Sequence, residues 1–223
     1  MPGSDRIAVV SFAVRFPGSG ADPDAFWRNV ASAADCSREV PAGRWILPPE
    51  RALDRRVPHP DSVPSIRGYY LDPFEPDVGG LNLPAGLVEQ LDPLFHLVLD
   101  TGNRAWRAAK TAAVDRRKVG VILGNICLPT DKASELARQH LAGGNPVHPL
   151  NRYVAGLPAG LLAQALGLGG GTFTLDAACA STLYAVKLAC DELLSGRADL
   201  MLAGGVNRSD CQYTQMGFAQ LRA

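Results

Sequence analysis

The chain has 223 residues, 47% hydrophobic and 20% charged, and its 22 Lys+Arg balance its 22 Asp+Glu to a formal charge of zero. That length buries a substantial core, as one domain or one large half-domain, while the charge balance, with no basic stripe or charge block, argues against nucleic acid or a membrane surface as partner. No apolar run approaches the roughly 18 to 20 residues that span a bilayer, and five widely spaced cysteines without a Cys-x-x-Cys pair indicate neither a disulfide framework nor a metal site.

The first residues lack the charged and apolar regions of a secretion signal, which predicts a cytoplasmic location. The apolar run Ile7-Ala8-Val9-Val10-Ser11-Phe12 reads as a strand. Asp22-Pro23-Asp24 then reads as the start of a helix over 25–33. Between 41 and 80 stand eight prolines, which predict an extended irregular region, and Trp45, Ile46, Tyr69, Tyr70 and Phe74 give it apolar anchors that a disordered linker lacks. Helices are predicted over 84–92 and 93–109, a buried strand over 119–124, and further helices over 131–142 and 154–166. The glycines of 167–171 read as a turn and not a phosphate loop, because they precede a strand and no Lys-Ser or Lys-Thr follows. A strand over 171–175, a helix over 181–195 and a strand from Leu200 complete the series, which predicts an α/β architecture with a mostly parallel sheet. In the 181–195 helix, apolar residues cover most of the circumference, which predicts burial in a core.

Cys179, in Thr174-Leu175-Asp176-Ala177-Ala178-Cys179-Ala180-Ser181-Thr182-Leu183, stands where the strand pattern ends and the helical one begins. Unpaired N–H groups and the helix dipole at such a junction favour thiolate over thiol, the form that attacks electrophiles. Cys127, which follows a buried-strand pattern, and Cys190, on an apolar helix face, read instead as small buried hydrophobes. The four histidines, His59, His96, His140 and His148, read as solvated or packed residues, since none stands near the nucleophile in sequence.

The order of motifs resembles the N-terminal half of a β-ketoacyl synthase, the condensing domain of fatty acid and polyketide synthases. The carrying residues are the opening strand with Arg15-Phe16-Pro17-Gly18, then Phe26-Trp27, Val40-Pro41-Ala42-Gly43-Arg44-Trp45 and Leu91-Asp92-Pro93-Leu94-Phe95-His96, followed by Asp176-Ala177-Ala178-Cys179 and Leu202-Ala203-Gly204-Gly205-Val206-Asn207. Gly124-Asn125 and the 184–191 run look most like the synthases of polyunsaturated fatty acids or related long-chain lipids. The resemblance implies that 1–223 is the first half of a thiolase-like αβαβα layered sandwich, with 41–80 as an extended loop region. It also implies that the second half, which in the family supplies two histidines and a lysine, lies outside this sequence.

By the same resemblance, Cys179 accepts an acyl group from a phosphopantetheine-linked acyl carrier or a coenzyme A thioester, with no bound cofactor and no metal. Its own N–H is then an oxyanion donor because it opens a helix. Asp176 fixes the turn as an acceptor of local N–H groups in preference to acting as a base; Ala180 supports the same turn, and together with Thr182 departs from the serines common at these places. The implied partners are an acyl carrier protein or domain, the second half of the synthase domain and a second copy of the chain, paired through the strand of Thr172. An apolar face meant for the sister half would be left exposed, which predicts a truncated chain, a gene fragment or a half completed by another chain. Two other readings stand beside this one: a catalytically silent structural fragment of a synthase and a thiolase-like enzyme.

Overall fold

The computed structural model describes residues 6–55, 61–208 and 211–221. In chain order they form α1 (Pro23–Ala31), β1 (Arg38–Glu39), α2 (Pro49–Ala52), β2 (Arg67–Gly68), α3 (Pro93–Ala108), β3 (Val119–Asn125), α4 (Asp131–Ala142), α5 (Pro158–Leu166), β4 (Thr172–Leu175), α6 (Ser181–Leu194), β5 (Leu200–Val206) and α7 (Gln212–Leu221). Asp-Pro pairs start two of the helices. Asp22 accepts from the N–H groups of Asp24 and Ala25 ahead of α1, and Asp92 accepts from that of Leu94 ahead of α3, while proline opens each helix with its φ already set.

The chain divides into two compact units. One comprises the described residues of Met1–Ala13, Glu75–Cys127 and Lys132–Arg208. Its sheet has the order β4-β3-β5, all parallel, with Gly124 opposite Leu175 on one side and Gly205 on the other. Side chains alternate along β3, so Val119 and Val121 face α3 and α5 in a cluster built on Leu91, Leu94, Phe95, Leu99, Leu161 and Leu162, whereas Ile122 faces Ala185 and Ala189 of α6. The helix order beneath the first face is fixed by a buried polar knot: Asp92, fully buried, accepts from the Lys132 N–H at 2.8 Å and donates its own N–H to Asn151 at 2.8 Å, and Asn151 donates to the Gln90 carbonyl. The other unit comprises the described residues of Val14–Phe74, Leu128–Asp131 and Ser209–Ala223. Val40, Trp45, Ala52, Val63 and Tyr70 form its core, and β1 pairs antiparallel with β2.

Four expectations are corrected. The 7–12 run pairs with no strand among the described residues and leaves Val9, Val10 and Phe12 exposed, because a strand exists only through a partner ladder. The 84–92 helix is reduced to one short turn, Val88–Gln90, because Gly86 adopts a φ of 71°, which ends right-handed helix propagation. The 154–166 helix begins only at Pro158, since proline lacks the N–H that a helix running through 158 would donate to the Val154 carbonyl. The fourth concerns α6, which is not enclosed: Ser181, Ala185 and Ala189 are buried at a spacing of four, while Leu183, Tyr184, Val186 and Leu194 lie exposed on its other sides. His59 lies outside the described residues.

Candidate active site

At the end of β4 the chain turns sharply into α6. Ala178 adopts a φ of 50°, a left-handed conformation that a residue with a Cβ takes only when its surroundings impose it. Two side chains impose it here. Asp176 accepts from the Ala178 N–H at 2.9 Å, and the Ser181 hydroxyl accepts from the Ala177 N–H at 2.9 Å while donating to the Ala178 carbonyl at 2.7 Å. The second oxygen of Asp176 accepts from the Cys127 N–H at 2.8 Å, which ties the turn to the loop leaving β3.

Cys179 occupies the single 3-10 turn Ala178–Ala180 and is exposed. It therefore precedes α6 by two residues and does not belong to its first turn. The Ala180 N–H donates to the Ala177 carbonyl at 3.1 Å, so Ala180 acts within the turn. Among the described residues the Cys179 N–H has no such partner. The N–H groups of Cys127 first and of Ala178 second hold the Asp176 carboxyl below the usual carboxylate range, because both bonds favour its charged form.

The junction sits directly on the strand ends. A Cβ on Gly124 would lie 2.6 Å from the Ser181 carbonyl carbon, so only glycine lets the start of α6 approach β3 this closely, and one on Gly205 would press on the Thr182 side chain. Asn125, the last residue of β3, is buried and donates to the carbonyls of Val154 and Ala155 at 3.0 and 3.2 Å.

Two residues of this region escaped the sequence reading. Cys127 was expected to be buried and is exposed, because β3 ends at Asn125 and the chain beyond it leaves the sheet. Ser181 carries no sequence signal beyond its place after the cysteine, yet it bonds both sides of the turn. The histidines stay apart: the His96 ring bonds the Val88 carbonyl, His148 accepts from the Leu150 N–H ahead of a short turn, and His140 lies in the last turn of α4. Among the described residues no group of three or more His, Cys, Asp or Glu is arranged to hold a metal, and no helix is long and apolar enough to cross a membrane.

Residues 4–223 match the model of the beta-ketoacyl synthase N-terminal domain. The chain belongs to that family. Among its curated relatives, it is 29% identical to an atrochrysone carboxylic acid synthase of Aspergillus chevalieri over 92% of this chain, and 31% identical to a mycocerosic acid synthase-like polyketide synthase of Mycolicibacterium smegmatis over 90% of it. It spans 12% and 9% of those proteins. Among solved structures, the PfaC ketosynthase–chain length factor superposes on 97% of the chain with a TM-score of 0.86 and 34% identity, this chain covering 26% of that one. A Streptomyces albus oxazolomycin ketosynthase domain superposes on 95% with a TM-score of 0.74 and 25% identity, with 36% of that chain covered. The fold of this synthase-family chain is accordingly α/β, the first half of the thiolase-like sandwich, and its family is one of condensing enzymes.

Proposed function

We propose that 1–223 is the acyl-accepting N-terminal half-domain of a beta-ketoacyl synthase, working in the cytoplasm, in which Cys179 receives an acyl group from a phosphopantetheine-linked carrier or a coenzyme A thioester. The observation that carries this reading is an exposed cysteine on a strained turn that Asp176 and Ser181 hold in place. The Cys179 thiolate attacks the thioester carbonyl carbon, the carbon–sulfur bond to the carrier breaks, and the carrier thiol leaves with a proton. The uncommitted Cys179 N–H is aligned by the turn to meet the developing oxyanion, as preorganised donors do. Asp176 and Ala180 serve as positioning residues through the turn. In the complete domain the acyl group then condenses with a malonyl carrier as carbon dioxide leaves, aided by groups of the second half. No bound cofactor or metal is required for the first step.

The partners follow from what is left uncovered. The exposed Leu183, Tyr184 and Val186 of α6 suit an apolar partner face, which we assign to the second half-domain. Among the described residues the strand β4 bonds β3 on one side only, and it carries the half-exposed Phe173, which suits pairing with a second copy. An acyl carrier protein or domain delivers the substrate. One observation favours a second reading, a catalytically silent fragment: His96, His140 and His148 all lie outside the turn's hydrogen bonds.

Intact mass after incubation with a short acyl thioester tests the proposal. The expected result is one acyl adduct, lost in Cys179→Ala. An adduct only in a chain extended past residue 223 would mean that the site is assembled by the second half; no adduct in either would establish the silent reading.

A further inference from the structure

The strands β3 and β4 lie side by side in parallel, with Gly124 opposite Leu175. Three residues beyond that pair stand Cys127 on one strand's exit and Ala178 on the other's, and one carboxylate, Asp176, accepts from the N–H of both. The two amides are therefore no farther apart than two hydrogen bonds and the width of a carboxyl group. Cys179 is the next residue along. Both cysteines are exposed, and 126–130 carries no regular structure that would hold Cys127 rigidly. The Cys127 and Ala178 amides lie 2.8 and 2.9 Å from the two oxygens of one carboxylate, and a disulfide joins Cα atoms about 4.4 to 6.8 Å apart, so pairing Cys127 with the residue after Ala178 asks for a movement of the 126–130 loop toward the turn.

We infer that Cys127 is a resolving thiol for Cys179, making the junction a reversible peroxide-sensitive switch. The Cys179 thiolate attacks one oxygen of hydrogen peroxide, giving a sulfenic acid at Cys179 and releasing hydroxide. The Cys127 thiolate then attacks that sulfur, the sulfur–sulfur bond forms, and the sulfenic oxygen departs as hydroxide, which is protonated to water. Peroxide is reduced to water as the two thiols are oxidised to one disulfide, and a dithiol reductant restores both. The disulfide blocks acyl loading and keeps Cys179 from the irreversible sulfinic state. Asp176 holds the Cys127 amide beside the amide that precedes Cys179 whether or not an acyl group is ever loaded. The inference therefore rests on the exposed reactive Cys179 of the proposed function, and its failure is separable from a failure to acylate.

The test treats the whole chain with a small molar excess of hydrogen peroxide, blocks remaining thiols by alkylation, and maps peptides without reduction. Expected is an intact mass lower by two hydrogens and a peptide joining Cys127 to Cys179, both reversed by dithiothreitol. In Cys127→Ser and Cys127→Ala, each checked for unchanged circular dichroism, the link is lost and the fraction of Cys179 bearing two or more added oxygens rises several-fold. Equal over-oxidation in the parent and both variants, or a link from Cys179 to Cys36, Cys190 or Cys211, would overturn the inference. Acyl loading of the reduced protein, measured on the same sample, reports on the proposed function independently.

Discussion

On one face of the β4-β3-β5 sheet, Val119 and Val121 meet α3 and α5 in a continuous apolar cluster; on the other, Ile122 meets only two alanines of α6 and the partly buried side chains around them. The first face is closed within this chain. The second is closed only along one line of α6, and the helix carries Leu183 and Tyr184 outward, where they gain nothing from burial. The difference teaches that apolar content alone does not say which side of a helix is core: the buried line Ser181, Ala185 and Ala189 consists of small residues, because α6 lies close on the sheet, and the larger residues are those facing away.

The comparison is broken most directly by Phe95→Ala, a fully buried side chain on the closed face. It is expected to lower stability by about 3 to 5 kcal/mol in urea unfolding. Gly124→Ala, on the opposite face, forces a Cβ against the Ser181 backbone and is expected to cost about 1 to 3 kcal/mol, with a parallel fall in acyl loading of Cys179. Ser181→Ala removes the hydroxyl that bonds the Ala177 N–H and the Ala178 carbonyl, and is expected to cost about 1 kcal/mol by the same measurement. Leu183→Gln, on the outward side of α6, should change stability by less than about 0.5 kcal/mol; a loss equal to that of Phe95→Ala would show the two faces to be equivalent.

The turn itself has a pH signature. Because the folded state holds the Asp176 carboxyl below its ordinary value, its bonds to the Cys127 and Ala178 amides are complete above about pH 3.9, the unfolded reference. Their contribution fades as pH falls further and is gone below the folded value. The amide resonances of Cys127 and Ala178 should shift together with a midpoint below that reference, and Asp176→Asn should abolish the shared transition. A midpoint at or above 3.9 would break the link between turn and loop.

Much of the architecture was legible because it is written locally. The Asp-Pro starts of α1 and α3, the apolar run of β3 and the Gly-rich turn before β4 are all short-range signals, and the strand-to-helix change marked the position of Cys179. The family resemblance added the layered fold. What escaped depends on contacts distant in the chain. Cys127 and Asp176 are 49 residues apart, and only the β3–β4 register brings them together. The opening run 7–12 has the composition of a strand, yet pairing is a property of a second segment and cannot be read from the first. The role of Ser181 is likewise invisible in sequence, since both of its bonds are to backbone atoms that any residue provides.

The central position of β3 also bears on how the chain is made. Both of its neighbours come later in the sequence, so during synthesis the run Val119-Gly120-Val121-Ile122-Leu123 waits for roughly fifty further residues before β4 exists, which at about 5 to 20 residues per second is several seconds. Throughout that interval this apolar run has no later strand of its sheet beside it; α3, already emerged, is the first helix of the closed face able to shelter it, and α5 joins only shortly before β4 is made.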